Sequence, residues 1–540
     1  MKNPVAVLFT LTLLLFISPG LSGQIIYAPL NSSVYDFLDR MNNKEIIDYY
    51  AIIKPIPRKD IAGYLKVIAS KRDELTALEK QELDFYNIEF SKELTNEDKS
   101  WHIFSYSDTL FRLFVTPIVG LEGGSLGGKK YYKTSWLGRF DGSISDNIGF
   151  SYMLTDNSER GDTVDKDKKL SPLTGFNYKY FSDGHIEYEN INAIMSYNWS
   201  WGIFSIGKDF QNWGSGRFGQ LILSSKAPSF PFFKLDVYPA KWLKFSFIHG
   251  WLNSDVPDSI YFYPTTVTGL NGQPLYRAQN KSKFFAANMF SILPAKNLVV
   301  SFGNSVIYSD QGPSLPFLIP FIWYYKGIDH NFYGSTKDDG LGNNGQLFFD
   351  FNYVPYKGIK VYSTLFIDEF SFTGFLKGDH SRDQLGYTVG LTSYNSIVEG
   401  LLFELEYTKV MPGTYLNYIQ TQTYANNSYN LGHWIGQNAD LLDLGFTYYF
   451  SRGLNFKLLF EKLRKGGDQL GTDELLQKTL HFLYKPLISY NKFNLDVSYE
   501  FLYNLFIKGE LSHSNYYFDT GNYNQTTNNW EYNFSIKYGM

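Results

Sequence analysis

Residues 530–540 read WEYNFSIKYGM, and aromatic or apolar residues occupy every second position. Glutamate, asparagine, serine and lysine lie between them. Successive side chains of a β-strand point to opposite faces, so this alternation predicts a strand with one apolar and one polar environment. The pattern recurs at residues 442–450 and 493–501. A soluble β-sandwich alternates in the same way, so the period alone does not identify the fold class.

The spacing of short polar breaks is more informative than the period. Eight breaks that contain Pro, Gly, Asn or other polar residues are predicted as tight turns, at 146–147, 198–200, 239–241, 294–296, 355–358, 396–400, 451–453 and 490–492. Longer connections alternate with these turns, as in outer-membrane barrels, whereas a sandwich has no reason to lengthen every second loop. Eight turns divide the region into nine strand pairs. We therefore predict an all-β membrane protein, a closed antiparallel outer-membrane β-barrel of about 18 strands.

The composition of the 540-residue chain agrees with this fold. Aromatic residues make up 18% of the chain, which aromatic girdles at the membrane interfaces would explain. Lys and Arg (49) nearly balance Asp and Glu (53), which argues against nucleic acid as a partner. The absence of cysteine excludes disulfides, thiolate metal sites and a lipoprotein anchor. We predict a protein of the cell outer membrane, with membrane lipid and, during insertion, the barrel-assembly machinery as partners.

The N-terminal part of the chain has a different pattern. Lys2 precedes an apolar segment from Val5 to Ile17, and small residues follow. This segment is too short to span a bilayer and predicts a cleaved signal peptide at 1–23.

Residues 24–100 have the apolar spacing of short amphipathic helices. Thr76 and Glu79 have the spacing of a capping box, which predicts a helix start. An even number of strands returns the C-terminus to the periplasm, so we expect this helical region on the periplasmic side, against the lower mouth of a barrel formed by residues 101–540.

Motifs for a catalytic or metal centre are weak. Gly214, Gly216 and Gly219 match GxGxxG but lack the strand and helix that a dinucleotide site requires, so we interpret them as a tight loop at the barrel rim. The histidines are scattered, and no nucleophile elbow is present. Asp156, Asp162, Asp165 and Asp167 could bind calcium, but the basic residues among them favour a solvated loop. We predict no cofactor, no metal and no enzymatic activity.

The predicted outside loops 309–345, 412–438 and 512–529 are rich in Tyr, Asn and Gln. Aromatic faces and amides together suit hydroxyl-rich ligands such as polysaccharide, although loop composition and girdle residues would explain the same pattern. Tyr415, Tyr418 and Tyr424 become candidate ligand-binding residues.

Several motifs resemble the capsule assembly protein Wzi family, a family of outer-membrane lectins. They are Pro55-Ile56-Pro57-Arg58-Lys59-Asp60; Gly207-Lys208 leading to Trp213-Gly214-Ser215-Gly216; Leu221-Ile222-Leu223-Ser224 with Ala227-Pro228; Gly345-Gln346-Leu347; Ile367-Asp368-Glu369-Phe370; and Glu406-Tyr407-Thr408 with Thr414-Tyr415. The chain departs from the family at Ser225-Lys226, where an Asn-containing pair is commoner, and at the terminal Met540, where barrels usually end in Phe.

The resemblance implies a small N-terminal helical region, an 18-stranded barrel and a non-enzymatic role in holding exported polysaccharide on the cell surface. Trp213, Arg217, Asp368 and Glu369 lie in matched motifs and join the candidate ligand-binding residues. Whether they bind sugar, seal the lumen or stabilise the barrel stays open at this stage.

Two other functions remain as alternatives. A porin-like diffusion channel would have charge on its inner wall, and we expect only modest charge at the inward positions of this chain. Loop 309–345 is also long enough to fold inward. An outer-membrane hydrolase would need a catalytic constellation, which the sequence does not display. A TonB-type transporter would need about 22 strands and a large plug domain, for which the chain is too short.

Overall fold

A computed structural model of the protein describes residues 26–539 apart from 50–51, 96, 98, 146, 182, 270, 325–341, 371–376, 378–382, 468–480 and 485. The predicted signal peptide at 1–23 lies outside the described residues. Within the described ranges, no helix is both long enough and apolar enough to cross a membrane.

Eighteen long antiparallel strands form one closed barrel, in which each strand pairs with its neighbours in the chain and the last pairs with the first. The prediction of a closed barrel of about 18 strands is confirmed. In chain order the strands are β1 (Phe111–Leu126), β2 (Lys129–Ile144), β3 (Ile148–Gly161), β4 (Ile186–Trp199), β5 (Gly202–Asp209), β6 (Phe230–Ala240), β7 (Leu243–Pro257), β8 (Asn280–Ala295), β9 (Leu298–Ser309), β10 (Asn344–Tyr356), β11 (Ile359–Glu369), β12 (Gln384–Tyr394), β13 (Leu401–Val410), β14 (Ala439–Ser451), β15 (Leu454–Lys465), β16 (Leu487–Leu502), β17 (Leu505–Asp519) and β18 (Asn524–Tyr538).

The short turns lie together at one end of the barrel, which we call the turn end; the opposite end is the loop end. Seven of the eight predicted turns lie at strand junctions of the turn end. The turn predicted at 490–492 is wrong, because β16 runs through it and the turn lies at 503–504. Asn491 and Lys492 resemble turn residues, but they alternate sides within a paired strand.

The alternation read from the C-terminus describes the barrel wall correctly. The side chains of Trp530, Tyr532 and Phe534 on β18 are 55–60% exposed and point outward. Lys537 and Glu531 alternate with them and point inward, where they make ion pairs with other strands. The outward apolar face is the one that a lipid environment requires.

The N-terminal helices are α1 (Val34–Asn43), α2 (Arg58–Ser70), α3 (Ala77–Glu89) and α4 (Ser91–Thr95). Thr76 forms the predicted capping box at the start of α3. The helices lie against the turn end, as expected: the hydroxyl of Ser32 is 2.8 Å from that of Tyr503, and the N–H of Gly358 donates to the carbonyl of Asn43 at 2.6 Å.

The inner face of the barrel has two different halves. From β4 to β14, most inner side chains are buried by the N-terminal region and by the two loops that fold inward, 210–229 and 411–438. We call this the packed half.

The remaining strands, β15 to β18 and β1 to β3, form the charged half. Their inner face carries ion pairs such as Lys537–Glu122, Lys508–Asp496 and Lys492–Glu531. These three lysine side chains are 27–39% exposed although they point into a closed barrel, so water reaches this part of the lumen. The expectation of only modest inward charge is therefore wrong.

Candidate functional site

The loop between β5 and β6, residues 210–229, crosses the lumen, and we call it the inner loop. Asn212–Trp213 pairs with Ile53–Lys54 of the N-terminal region as a two-stranded antiparallel sheet. Trp213 is fully buried, and its backbone N–H donates to the carbonyl of Leu223 at 2.7 Å, which folds the loop back on itself. The inner loop and the N-terminal region therefore form one continuous plug.

The GxGxxG segment lies in this plug and not at the barrel rim, so the interpretation as a rim loop is wrong. Gly214 has φ 120°, which a residue with a Cβ rarely adopts, and its N–H donates to the carbonyl of Ile52 at 2.8 Å. The glycine therefore permits the close approach between the inner loop and the N-terminal region.

Arg217 links the plug to the barrel wall. Its Nη2 donates to Asp36 at 2.9 Å and its Nη1 to Asp39 at 3.2 Å, both on α1. Its Nε donates to Glu404 on the inner face of β13. Glu406, on the same face, accepts the backbone N–H of Arg217 at 2.6 Å. One guanidinium thus joins the inner loop, a helix and a strand.

The charges in this cluster stabilise one another. Burial by itself would raise the pKa of Asp36, but Arg217 and Arg40 outweigh burial and lower that pKa. Burial likewise opposes the charge of Arg217, yet Glu404, Asp36 and Asp39 raise its pKa well above the ordinary value. Asp36 and Arg217 therefore hold each other in their charged forms at neutral pH.

The loop between β13 and β14, residues 411–438, covers the inner loop from the loop end, and we call it the capping loop. Tyr415 donates its hydroxyl to the carbonyl of Leu221 at 2.8 Å, and Tyr424 donates to that of Ile222 at 2.7 Å. The two rings stack with centroids 5.6 Å apart, and both side chains are completely buried. In this arrangement Tyr415 and Tyr424, both candidate ligand residues, contact the plug.

Further hydrogen bonds seal the two loops together. Trp434 donates its indole N–H to the carbonyl of Phe218 at 2.8 Å. Ser224 donates its N–H to the carbonyl of Leu431 at 2.7 Å and its hydroxyl to that of Gly432 at 2.6 Å. The inner loop and the capping loop are therefore joined by several hydrogen bonds in the packed half of the lumen.

Asp368 holds the start of the capping loop in place. It accepts the N–H of Tyr415 at 2.7 Å and the side-chain amide of Gln346 at 3.2 Å. Tyr415 has φ 72°, in the left-handed region that side chains other than glycine rarely adopt, so the carboxylate stabilises a strained turn. Glu369, its neighbour at the end of β11, is half-buried. Of the seven candidate residues, Tyr418 is the most open, with 45% exposure.

A cavity of about 830 Å³ lies above the capping loop at the loop end, and we call it the outer cavity. Its walls contain three aromatic residues, Tyr418, Tyr429 and Trp434, together with amides that include Asn417 and Asn430. This mixture offers apolar ring faces beside paired donors and acceptors.

Lysines also line the outer cavity: Lys169, Lys226, Lys283 and Lys465. Lys226 is 5% exposed, and its amine donates to the carbonyls of Ser171 and Leu173 at 3.0 and 2.9 Å. Burial lowers the pKa of Lys226 to about 8. The cavity wall is therefore basic as well as aromatic.

Two of the loops expected to bind ligand differ from the prediction. Residues 512–529 belong mostly to β17 and β18, which a short turn at 520–523 connects. The aromatic and acidic residues expected to act in loop 309–345 were Trp323, Tyr324, Tyr325, Asp338 and Asp339. Of these, Trp323 is 48% exposed and Tyr324 is buried, and the other three lie outside the described residues. Among the described residues, no group of three or more His, Asp or Glu side chains could hold a metal ion, including the aspartates considered for calcium.

Sequence reasoning did not select Glu404 or Glu406, although both lie in the cluster around Arg217. A usable signal was present, because they occupy inward positions of β13 that alternate with Phe403, Leu405 and Tyr407. Lys226 and Lys283 were also missed, since a single basic residue in a loop or at a strand end has no distinctive pattern.

A family model described as capsule assembly protein Wzi matches residues 139–530, which is well over half of the chain. The chain belongs to the capsule assembly protein Wzi family. The resemblance stated from the sequence motifs is confirmed, and the chain is an outer-membrane β-barrel.

Among solved structures, the chain is similar to Escherichia coli Wzi, described as an outer-membrane protein involved in group 1 capsule assembly and a carbohydrate-binding β-barrel. The identity is 12% and the TM-score 0.58, over 96% of this chain and 100% of that one. Pseudomonas aeruginosa OccK8 (OprE) is 10% identical with a TM-score of 0.43, over 79% of this chain and 97% of the other. No curated protein matches the sequence significantly.

Proposed function

We propose that this chain binds exported surface polysaccharide in the outer cavity and helps to retain or assemble it on the cell surface without cleaving it. Membership of the Wzi family supports this function, as does the carbohydrate binding described for E. coli Wzi. The observation that carries the proposal is the cavity of about 830 Å³ at the loop end, with aromatic rings and amides in its walls.

The chemistry of these walls suits a polymer of sugars. The 45% exposed ring of Tyr418 provides a stacking surface, and Asn417 and Asn430 provide donors and acceptors for hydroxyl groups. Individual contacts of this kind are weak, but repeated contacts along one polymer combine through avidity. The loop end faces outward in this proposal, since long loops are external in outer-membrane barrels.

We also propose which partners and compartments surround the barrel. Its outward apolar side chains contact outer-membrane lipid, and the barrel-assembly machinery inserts it. The helices at the turn end lie in the periplasm, where the plug closes the packed half of the lumen.

A paired substitution tests the polysaccharide site. We expect Tyr418→Ala combined with Asn417→Ala to move surface polysaccharide from the cell-associated to the free fraction, because both the stacking surface and an amide are lost. Tyr523→Ala, at a 58% exposed position in the turn 520–523, is the matched control and should leave the partition unchanged. Both fractions are measured as hexose content, and the amount of folded barrel is checked in each strain.

Deletion of the protein gives the limiting case. An unchanged partition in the deletion strain would contradict surface retention as the function. A changed partition in the deletion strain but not in the double variant would place the binding surface elsewhere on the barrel.

The charged half of the lumen favours a second candidate function, a diffusion channel. Its lysine side chains reach 39% exposure inside the barrel, as the wall of a water-filled passage would. Purified protein in a planar lipid bilayer distinguishes the candidates: stepwise ion conductance would support the channel, and a silent bilayer with inserted protein would contradict it.

A further inference from the structure

The outer cavity has an unbalanced charge. Four lysines line it, and among the described lining residues Asp255 is the one carboxylate. Asp255 is exposed and accepts the hydroxyl of Ser428. The excess positive charge therefore belongs to the cavity itself.

Lys283 makes the strongest case for an anion-binding site. It is 3% exposed, and its amine donates to the carbonyl of Thr423 at 2.7 Å. No carboxylate of the described residues lies within ion-pair distance of this amine. A buried ammonium group with only a neutral carbonyl as partner is costly, and an anion beside it would remove that cost.

Lys226 repeats the arrangement on another wall of the same cavity. Its amine contacts the carbonyls of Lys168, Ser171 and Leu173, and none of its described partners is a carboxylate. Carbonyl dipoles orient the amine, and Asp165 acts on its charge from beyond ion-pair distance, so no carboxylate of the described residues contacts it. Two buried amines thus line one cavity, and neither has a carboxylate of the described residues in contact with it.

We infer that the outer cavity selects acidic polysaccharides, whose sugar carboxylates pair with Lys283 and Lys226. This inference rests on the proposed function and names the substrate class of that site. A carboxylate forms short charge-assisted hydrogen bonds with an ammonium group. The lysine ammonium group can donate to a carboxylate from a range of directions, which suits repeating carboxylates on a flexible polymer. Tyr418 and the amides then contact the neutral parts of each repeat.

Chemical reduction of the polymer tests the inference. The probe is the surface polysaccharide of the cells that produce the chain, used intact and after its carboxyl groups have been converted to alcohols. Binding of each form to the purified barrel is measured in detergent. The reduced form should bind about five- to tenfold more weakly, the change for one partly screened ion pair. Affinity for the intact form should fall as NaCl rises, while that for the reduced form should not.

Two other results would contradict the inference. Equal binding of the two forms, or tight binding of a polymer that contains no carboxyl groups, would overturn acidic selection and leave polysaccharide binding intact. If neither form bound, the proposed function would fail as well.

A charge-removing variant assigns the effect to the cavity. Lys283→Gln keeps a donor for Thr423 but removes the charge, so it should lose most of the preference for the intact polymer. Lys129→Gln, at an exposed position beside the turn 127–128, is the matched control and should keep that preference. Lys226→Gln is a poorer probe, because the amine of Lys226 donates hydrogen bonds to three carbonyls of a neighbouring loop and its loss would also disturb that loop. An unchanged preference in folded Lys283→Gln would overturn the assignment.

Discussion

The packed half and the charged half of the barrel belong to one sheet with one alternation of inward and outward side chains, yet the inner face is buried in one half and exposed to water in the other. In the packed half, side chains such as Phe366 are completely buried against Tyr415 and Tyr424 of the capping loop. In the charged half, Lys492 and Glu531 pair at 3.4 Å with about a third of each side chain exposed. The same polar-in, apolar-out wall can therefore hold a plug or line a wet space, and the loops decide which.

This difference predicts where the molecule is sensitive. Buried polar contacts in the packed half have no water to replace a lost partner, so their removal is costly. Ion pairs in the charged half are screened by the water around them, so their removal costs little. The four predictions below run from the largest expected effect to the smallest.

Arg217→Gln should cause the largest loss. Asp36, Asp39 and Glu404 would then lie together without their shared cation. Glu404 is 2% exposed, but Arg217 is 21% and Asp36 46% exposed, so water screens part of the effect and the cost should be about 3 kcal/mol, the lower end of the range for a buried pair. The temperature at which the barrel loses its folded mobility on a denaturing gel measures the effect. A transition equal to that of the unsubstituted protein would show that the cluster does not stabilise the plug.

Acid should loosen the capping loop through His433. Burial lowers the pKa of His433 to about 3, below the value of about 6.5 expected in the unfolded chain. The unfolded state therefore binds the proton first as the pH falls, so this stabilisation is complete above about pH 6.5 and declines towards pH 3. At pH 4.5 the loss amounts to about 2–3 kcal/mol.

Limited proteolysis of residues 411–438 between pH 7 and 4.5 checks this expectation. His433→Gln should show much less change across the range. The lowered pKa values of Asp36 and Asp39 affect stability only below about pH 3.8, outside this window. Equal acid sensitivity in both proteins would assign the effect to other groups.

Tyr415→Phe and Tyr424→Phe should each cost about 1–2 kcal/mol, because the carbonyls of Leu221 and Ile222 would stay buried without a donor. Faster hydrogen exchange in the inner loop would report the loss. Tyr523→Phe, at an exposed position, serves as the control. If exchange in the inner loop stayed slow in both variants, these hydrogen bonds would not couple the two loops.

Lys492→Gln should have the smallest effect, below about 1 kcal/mol, since its pair with Glu531 is partly exposed in the charged half. The difference should shrink further at high salt. A loss as large as that of Arg217→Gln would remove the distinction between the two halves.

Much of the barrel was predictable because its pattern is local. The alternation in β14, β16 and β18 and most turn positions could be read directly, and the turn at 490–492 was misplaced because turn-like residues also occur inside strands. Thr76 and Glu79 predicted their helix start for the same local reason. Family motifs pointed to Arg217 and Asp368 but not to what they contact.

The candidate site was only partly predictable. Tyr415, Tyr418 and Tyr424 were selected by composition, which does not distinguish a ring that faces a cavity from one that faces a plug. Their directions depend on partners far along the chain, such as the contact between Tyr415 and Leu221, separated by 194 positions.

Local sequence patterns were enough to predict the closed barrel and its strand number, because a period of two and short turns are properties of neighbouring residues. The family was predicted separately, from the resemblance of short motifs. Tertiary structure decided that two loops fill half of the lumen, that Arg217 links plug to wall, and that Lys226 and Lys283 share one cavity. These outcomes arise from contacts between segments far apart in the chain, where burial and charge pairing, rather than local pattern, decide which arrangement is stable.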